Sequence, residues 1–519
     1  MKKLVAVVLS LMLALTCIGT MAESIYPIDT DVTLKVWIPY MSSSQDASAN
    51  ESIWYTTLAK KTGINIDWQE PTVGADSDQA YSLMIAGNDL PDIILHSDVV
   101  TNGASLIESG VIIKLNDYLE DYCPNLCAMM EKYPEIALTY KTEAGDYYCF
   151  PYLGDSMTSG GMMYNTAWLA ECGLEIPTTI DELTEVLRAE KEKFGVAPFT
   201  MVQQELDENT AGNYGAMHSI YDAFGVPGRY CFYRDEQQIV HFSPVEEGYR
   251  EALTLLNSWY EEGLIDPDYA SLSWRDVSAK GAENVVGVMF ADFEAFDRMS
   301  AIYDTAENPW VPGPEPKLDI DDDLYYFLSC NFCIACGGAI TTACQDVEAA
   351  CRLLDYMFSP EGLEFGNYGI LGESYEYDSE GNPHYTDLYR NGPLGMDEYA
   401  GLYTPMACGG FTCGYGIYSA AYERNSEAMR VAESTWLSGL TDNRFWVMPM
   451  LGATAEETET FAELDSVIQT YCGEMHHKFL TGDLSIEDDW DAFQETLESM
   501  NVEDLIAIKQ AQLDRFNAR

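Results

Sequence analysis

The chain has 519 residues and carries 27 Lys and Arg against 85 Asp and Glu, a formal net charge of −58. Hydrophobic residues make up 47% and charged residues 22%, enough apolar material for two or three domains and too much for a disordered acidic tail. So negative a surface repels phosphate backbones and anionic lipid headgroups, which argues against nucleic acid or a membrane surface as partner; the charge itself reads as a solvated, soluble exterior.

The N-terminus has the pattern of an export signal. Met1-Lys2-Lys3 is a positive start, residues 4–15 are apolar apart from Ser10, and Thr20-Met21-Ala22 puts small residues where a signal peptidase reads. The apolar run is shorter than the roughly 20 residues of a bilayer span. Cleavage after Ala22 would leave 519 − 22 = 497 residues. Lipid attachment at Cys17 fits less well, because Leu15 lies one place too late and Thr16 stands where a small Gly or Ala is expected. The expected location is therefore secreted or extracytoplasmic and cell-surface associated. No later segment is a long enough apolar run for a membrane span. Of 14 cysteines one is Cys17, so 14 − 1 = 13 remain beyond the leader; an odd number leaves at least one thiol unpaired, and no pairing can be read from the spacing.

Next in order, residues 31–38 alternate and are β-rich, a strand; residues 54–61 have helical spacing and stop at Gly63; residues 64–68 form a second strand. Residues 80–86 make a short helix closed by Gly87-Asn88, and residues 91–95 a third strand. This alternation predicts an α/β fold with a mainly parallel sheet, in which ligands bind beyond the carboxyl ends of the strands. The loops after Ile38 and Leu95 are thus placed at a site edge.

Further along, residues 145–152 read as a strand running into a turn. Residues 180–190 read as a helix with Thr179 at its N-cap and Glu182 three residues later. Residues 247–262 are an amphipathic helix, residues 347–357 a helix, residues 285–290 a strand, and residues 325–340 an apolar run broken by Gly337-Gly338. From Trp490 the chain is helical to its end, with Val502, Leu505, Ile506, Leu513 and Phe516 in one stripe. Lys509 interrupts that stripe, its stem lying along the apolar face while its charge reaches water.

Several segments, in order, resemble the bacterial extracellular solute-binding proteins of family 1, above all their long oligosaccharide-binding branch. They are Met84-Ile-Ala-Gly-Asn-Asp-Leu-Pro-Asp-Ile-Ile94, Gly110-Val-Ile-Ile-Lys-Leu-Asn-Asp-Tyr118 with Cys123-Pro-Asn125, and Tyr164-Asn-Thr-Ala-Trp-Leu169 with residues 172–183. Tyr368-Gly-Ile-Leu-Gly-Glu-Ser-Tyr375 with His384-Tyr-Thr-Asp387, and Phe479-Leu-Thr-Gly482 through Trp490-Asp491 to Asp514-Arg515-Phe516, complete the set. The resemblance implies a two-lobed, periplasmic-binding-protein-like (type II) fold of helix-flanked, mainly parallel sheets with a ligand cleft between the lobes. It places hinge crossings near residues 149–152, 327–333 and 370. Lobe 1 would then comprise 23–148 and 331–370, and lobe 2 residues 149–330 and 371–519. Alginate-binding members carry a calcium loop after the helix matching 180–190; here Lys191-Glu-Lys-Phe-Gly-Val-Ala-Pro-Phe199 lacks the oxygen ligands a hard cation needs, so calcium is dropped there.

The function implied is capture of a carbohydrate, an oligosaccharide, by lobe closure and its delivery to the membrane permease of an ABC importer. The chain would act as a monomer, without catalysis and without a cofactor or metal. A secreted carbohydrate-active enzyme, or a receptor presenting ligand to a sensor, are the alternatives. Sugars offer apolar C–H faces and many hydroxyls, so their sites combine flat rings with Asp, Asn, Gln or Arg. Candidate contacts are Trp37 and Tyr40 after the first strand, His96 and Asp98 after the third, and Tyr152 and Asp155 at the first hinge. In the later chain they are Trp274, Asp292, Phe293 and Trp310, then Phe411 and Tyr415 in the glycine-rich loop 409–415. The competing reading for each ring is core packing.

Other motifs are set aside. Cys330-x2-Cys333-x2-Cys336 lacks a fourth thiolate, and a strand would send its side chains to alternating faces. Asp319-x-Asp321-x-Asp323 has Leu324 and Cys330 where a calcium loop needs Gly and Glu, and reads as an acidic turn. Asp378-x-Glu380-x-Asn382 reads as a hairpin turn, and adjacent His476-His477 face different ways on a helix. No G-x-S-x-G, H-E-x-x-H or phosphate-binding G-x-x-x-x-G-K-[ST] occurs, so coupled transport would need other subunits.

Overall fold

The structure, a computed structural model, describes residues 25–40, 48–72, 75–154, 160–202, 218–227, 231–292, 299, 308–323, 333–417, 427–438, 448–449 and 451–519. The export signal, Cys17, Asp155, Phe293 and Cys330 lie outside these residues.

Two hydrophobic cores organise the chain. The first is built on a six-stranded sheet. β1 (Thr33–Trp37) pairs in parallel with both β2 (Asn65–Gln69) and β3 (Ile93–His96). The helix Ile53–Thr62 crosses from β1 to β2, burying Trp54, Tyr55 and Leu58; Gly63, at φ 77°, takes the left-handed conformation that ends it. The helix Ser77–Gly87 crosses from β2 to β3, with Asp76 accepting from the Gln79 amide at its start. The predicted βαβαβ order is therefore present.

The remaining strands are β4 (Phe150–Gly154), β5 (Gly160–Asn165), β6 (Phe199–Thr200), β7 (Phe232–Arg234), β8 (Val240–Phe242), β9 (Val288–Asp292), β10 (Trp310–Pro312), β11 (Cys333–Ile340), β12 (Tyr375–Tyr377), β13 (Pro383–Tyr385) and β14 (Gly414–Gly416). The first sheet runs β14-β4-β11-β3-β1-β2, and a four-stranded sheet, β10-β5-β9-β6, underlies the second core. Both sheets are mixed, the first with parallel pairings at β1-β2, β1-β3 and β14-β4. β11 is antiparallel to β3 and β4, while β14 is parallel to β4; β5 is antiparallel to β10 and β9. At Gly337, where β11 shifts register against β4, a Cβ would stand 2.8 Å from the Phe150 carbonyl oxygen, so the Gly-Gly break in the apolar run is where the two backbones close up.

The first core draws on residues between 34 and 153 and between 339 and 413, and the second on residues between 162 and 290 and between 468 and 505. Phe365, Met406, Phe411 and Cys413 all pack in the first core with Trp54, Leu95 and Phe150, and β14 adds a strand to its sheet. Residues 371–416 therefore stay with the first half, Tyr375, Tyr385, Tyr389 and Tyr399 making a satellite cluster there. The helix Glu427–Trp436 docks on the second sheet. Its Trp436 fills the space over Gly161 and donates from Nε1 to the Met162 carbonyl at 3.1 Å.

The second core unites Met162, Tyr164, Phe199 and Phe290 with helices Ile180–Phe194, Glu247–Glu261, Ala455–Thr481, Ile486–Ser499 and Val502–Asn517. Thr179 caps the first of these helices at the Glu182 amide, as predicted, and the Glu182 carboxylate accepts from the Thr178 amide and hydroxyl. The C-terminal stripe is buried at Val502, Leu505, Leu513 and Phe516, and Lys509 holds its ammonium 4.1 Å from the centre of the Phe461 ring. The acidic segment 319–322 and the segment 378–382 are turns, the latter joining β12 to β13. His476 and His477 point to different tyrosines, Tyr221 and Tyr269. No helix among the described residues is long and apolar enough to cross a membrane.

Candidate ligand-binding site

Parallel pairing of β1 with β3 brings the carboxyl ends of both strands side by side, and with them Trp37 and His96. Their rings meet edge to face at 5.6 Å. The crossover helix Ser77–Gly87 adds Tyr81, which lies parallel to His96 at 4.1 Å between ring centres and 5.9 Å from Trp37. The three rings are nearly buried, at 5–7% exposure, and form a packed wall in which Trp37 and Tyr81 also belong to the first core.

Polar groups rim this wall. The Tyr81 hydroxyl donates to Asp98 Oδ2 at 2.5 Å, and Asn102 Nδ2 donates to Asp98 Oδ1 at 2.5 Å. Burial, together with the Asp98 carboxylate, pushes the Tyr81 hydroxyl well above its ordinary pKa, so it remains a donor. The Asp98 amide donates to His96 Nδ1 at 3.2 Å. That nitrogen must therefore carry a lone pair, which leaves Nε2–H to donate to Asp78 Oδ1 at 3.0 Å. Asp78 is 83% exposed, Asp98 is half-buried and Ser97 is exposed, so carboxylates and a hydroxyl border the rings where a solute can reach them. Oriented acceptors beside aromatic edges suit a ligand rich in hydroxyls and C–H faces.

A second group lies where the chain leaves the first sheet. Tyr152 on β4 donates to the Met406 carbonyl at 3.1 Å, and half-buried Tyr415 on β14 stands opposite Leu153. Tyr40, about half exposed, sets its hydroxyl against Gly409, where a Cβ would be 2.7 Å away; this brings the loop after β1 to the glycine-rich loop before β14. Trp37, Tyr40, His96, Asp98, Tyr152 and Tyr415 therefore belong to one end of the first half.

Among the described residues the other candidates do not join this group. Phe411 is 1% exposed, 5.1 Å from Trp54 and 6.1 Å from Trp68, a core ring. Trp310 is 2% exposed and donates to the Gly281 carbonyl at 3.0 Å, bracing β10 against the helix Trp274–Ala282. For both the packing reading holds. Trp274 is half-buried, 6.0 Å from Phe290, and Asp292 ends β9 opposite Gly160. Sequence reading missed Tyr81, Asp78 and Asn102. An aromatic one turn into the crossover helix was the available signal for Tyr81; the two polar residues meet the cluster only through the fold. Among the described residues no group of three or more His, Cys, Asp or Glu side chains is arranged to hold a metal ion, and Lys191 in the region compared with the calcium loop donates to the Gly263 carbonyl at 2.9 Å.

Comparison with known proteins gives the context. Residues 42–364 match the family described as bacterial extracellular solute-binding protein. The chain is 24% identical over 530 residues to the fructooligosaccharide ABC transporter substrate-binding protein FusA of Streptococcus pneumoniae, covering 95% of this chain and 92% of that one. It is 26% identical over 394 residues to lipoprotein LipO of Bacillus subtilis, covering 71% and 72%. Among solved structures it superposes with a TM-score of 0.74, at 18% identity, on the HMO-binding ABC-transporter-associated solute-binding protein of Bifidobacterium longum infantis, covering 94% of this chain and 99% of that one. The chain therefore belongs to the bacterial extracellular solute-binding protein family and has its two-lobed α/β fold.

Proposed function

We propose that this chain is the extracytoplasmic binding component of an ABC importer, capturing an oligosaccharide between its lobes and handing it unchanged to a membrane permease. The observation that carries this reading is the ring wall of Trp37, Tyr81 and His96 with its rim of Asp78, Asp98 and Asn102, set at the carboxyl ends of parallel strands in a member of this family. Two full-length relatives are named for fructooligosaccharide and HMO binding, which supports an oligosaccharide as the solute. The lobes are the two cores: residues up to 154 and 333–417 in one, residues 160–323 and 427 onward in the other. Tyr152 and Tyr415 sit on strands that lead from one to the other, where closure would change their surroundings. The chain is exported by its N-terminal leader, cleaved after Ala22, and works as a monomer.

Micromolar affinity requires about 8 kcal/mol net, which a few stacked rings and paired hydroxyls can supply. Titration calorimetry against a panel of fructo-, manno- and galacto-oligosaccharides tests the reading. One-to-one binding of a panel member, recovered intact by chromatography, is expected. Failure of every member to bind, or steady release of a shortened sugar, would contradict it.

A further inference from the structure

Outside the candidate site, two buried thiols meet in the first core. Cys123 sits at the junction between helices Asn116–Tyr122 and Pro124–Lys132. The helix Val347–Tyr356 lies across that junction. Its Asp355 accepts from Asn125 Nδ2 at 2.7 Å and from the Leu126 amide at 2.8 Å, so it satisfies the exposed start of the second helix. Cys351 is one turn before Asp355 and shares its face. The Cys351 sulfur is the neighbour that acts most strongly on the Cys123 thiol, and both residues are 0% exposed. Cys127, the next thiol on the chain, turns away towards the Leu119 carbonyl at 3.5 Å.

We propose that Cys123 and Cys351 form a disulfide in the exported protein. The pairing rests on the family's extracellular setting, where disulfides persist. The cross-link would join two segments 351 − 123 = 228 positions apart that lie on either side of the chain's excursion into the second core. It would therefore restrain the unfolded chain across that whole excursion. The chemistry is exchange with an external disulfide such as oxidised glutathione. One cysteine thiolate attacks it, forming a mixed disulfide and releasing one thiol. The second cysteine thiolate then attacks the mixed disulfide and releases the other, so the two thiol protons end on two reduced glutathione molecules. In the folded, reduced protein this exchange is blocked. Neither sulfur is accessible, and the neighbouring Cys351 sulfur, burial and the Asp355 carboxylate all hold the Cys123 thiol protonated. The bond must form before the helix Val347–Tyr356 docks.

The test is peptide mapping. The full chain is refolded from denaturant in a reduced and oxidised glutathione buffer, alkylated, digested without reduction and analysed by mass spectrometry. A linked peptide pair containing Cys123 and Cys351, two hydrogens lighter than the sum of the reduced peptides, is expected. The Cys123→Ser variant should melt several degrees lower than the oxidised protein and be insensitive to reductant, while Cys413→Ser keeps the linked pair. Recovery of both cysteines alkylated, or joined to other partners, would overturn the assignment. Sugar binding by the same sample is read separately, so a failed disulfide does not count against ligand capture.

Discussion

At the carboxyl ends of β1 and β3 the polar groups of the first half are paired and open to water. Tyr81, Asn102 and His96 hold Asp98 and Asp78 in fixed positions beside rings. In the second half, Glu190 and Glu315 lie 0% and 2% exposed around the Tyr164 hydroxyl, and neither carboxylate oxygen of Glu190 has a hydrogen-bond partner among the described residues. Burial pushes both carboxyls up to about 8. The same residue type thus does two jobs. Oriented at a sheet edge, a carboxylate can receive a solute's hydroxyls; sealed in a core, it stays neutral and ties stability to pH.

The comparison breaks most visibly if rings are misassigned between core and site. Phe411→Ala should cost about 3–5 kcal/mol in chemical denaturation, the range for a buried ring, while the folded fraction keeps its affinity for sugar. A large affinity loss with little loss of stability would move Phe411 from the core to the site.

The second core supplies the next effect. Because the folded-state pKa values of Glu190 and Glu315 are raised, their contribution to stability is complete below the unfolded carboxyl range and is lost as pH rises towards about 8. Stability should therefore fall over that window by about 1.4 kcal/mol per pH unit for each group. Glu315→Gln should flatten the dependence measured by urea denaturation at stepped pH. An unchanged slope would show that this carboxyl does not titrate in the window.

A smaller change sharpens the first-half side. Asp98→Ala removes the acceptor shared by Tyr81 and Asn102 and should weaken sugar binding by roughly tenfold, about 1.4 kcal/mol, with the fold intact. Trp37→Ala should lose at least as much affinity, with added loss of stability because that ring is also buried. Unchanged calorimetric affinity in both variants would take these residues out of the site. The smallest effect is at Lys509, whose ammonium lies over Phe461. Burial lowers its pKa, so Lys509→Met should change stability by less than about 1 kcal/mol.

These sites also show how far the sequence could be read. The first βαβαβ unit was legible because alternation, helical spacing and the stop at Gly63 agree locally. That unit brings Trp37 and His96, and with them Asp98, to one sheet end. Mixed strand directions were not legible, since β11 and β14 reach the first sheet only after long excursions and nothing local records which way a returning strand runs. The packing of residues 406–413 was not legible for the same reason: Phe411 and Cys413 complete a core begun by residues more than three hundred positions earlier. Phe411 and Trp310 looked like site rings because an aromatic beside glycines reads alike in a cleft and in a core. Tyr81 went unnoticed because its partners, His96 and Asp98, meet it only across the crossover.

Capture between two lobes is most directly tested by small-angle scattering with and without a saturating oligosaccharide already shown to bind by calorimetry. The radius of gyration should fall when the sugar is added, and by less for Asp98→Ala at the same sugar concentration. Superimposable profiles from a protein that calorimetry shows to be fully loaded would contradict closure around the ligand.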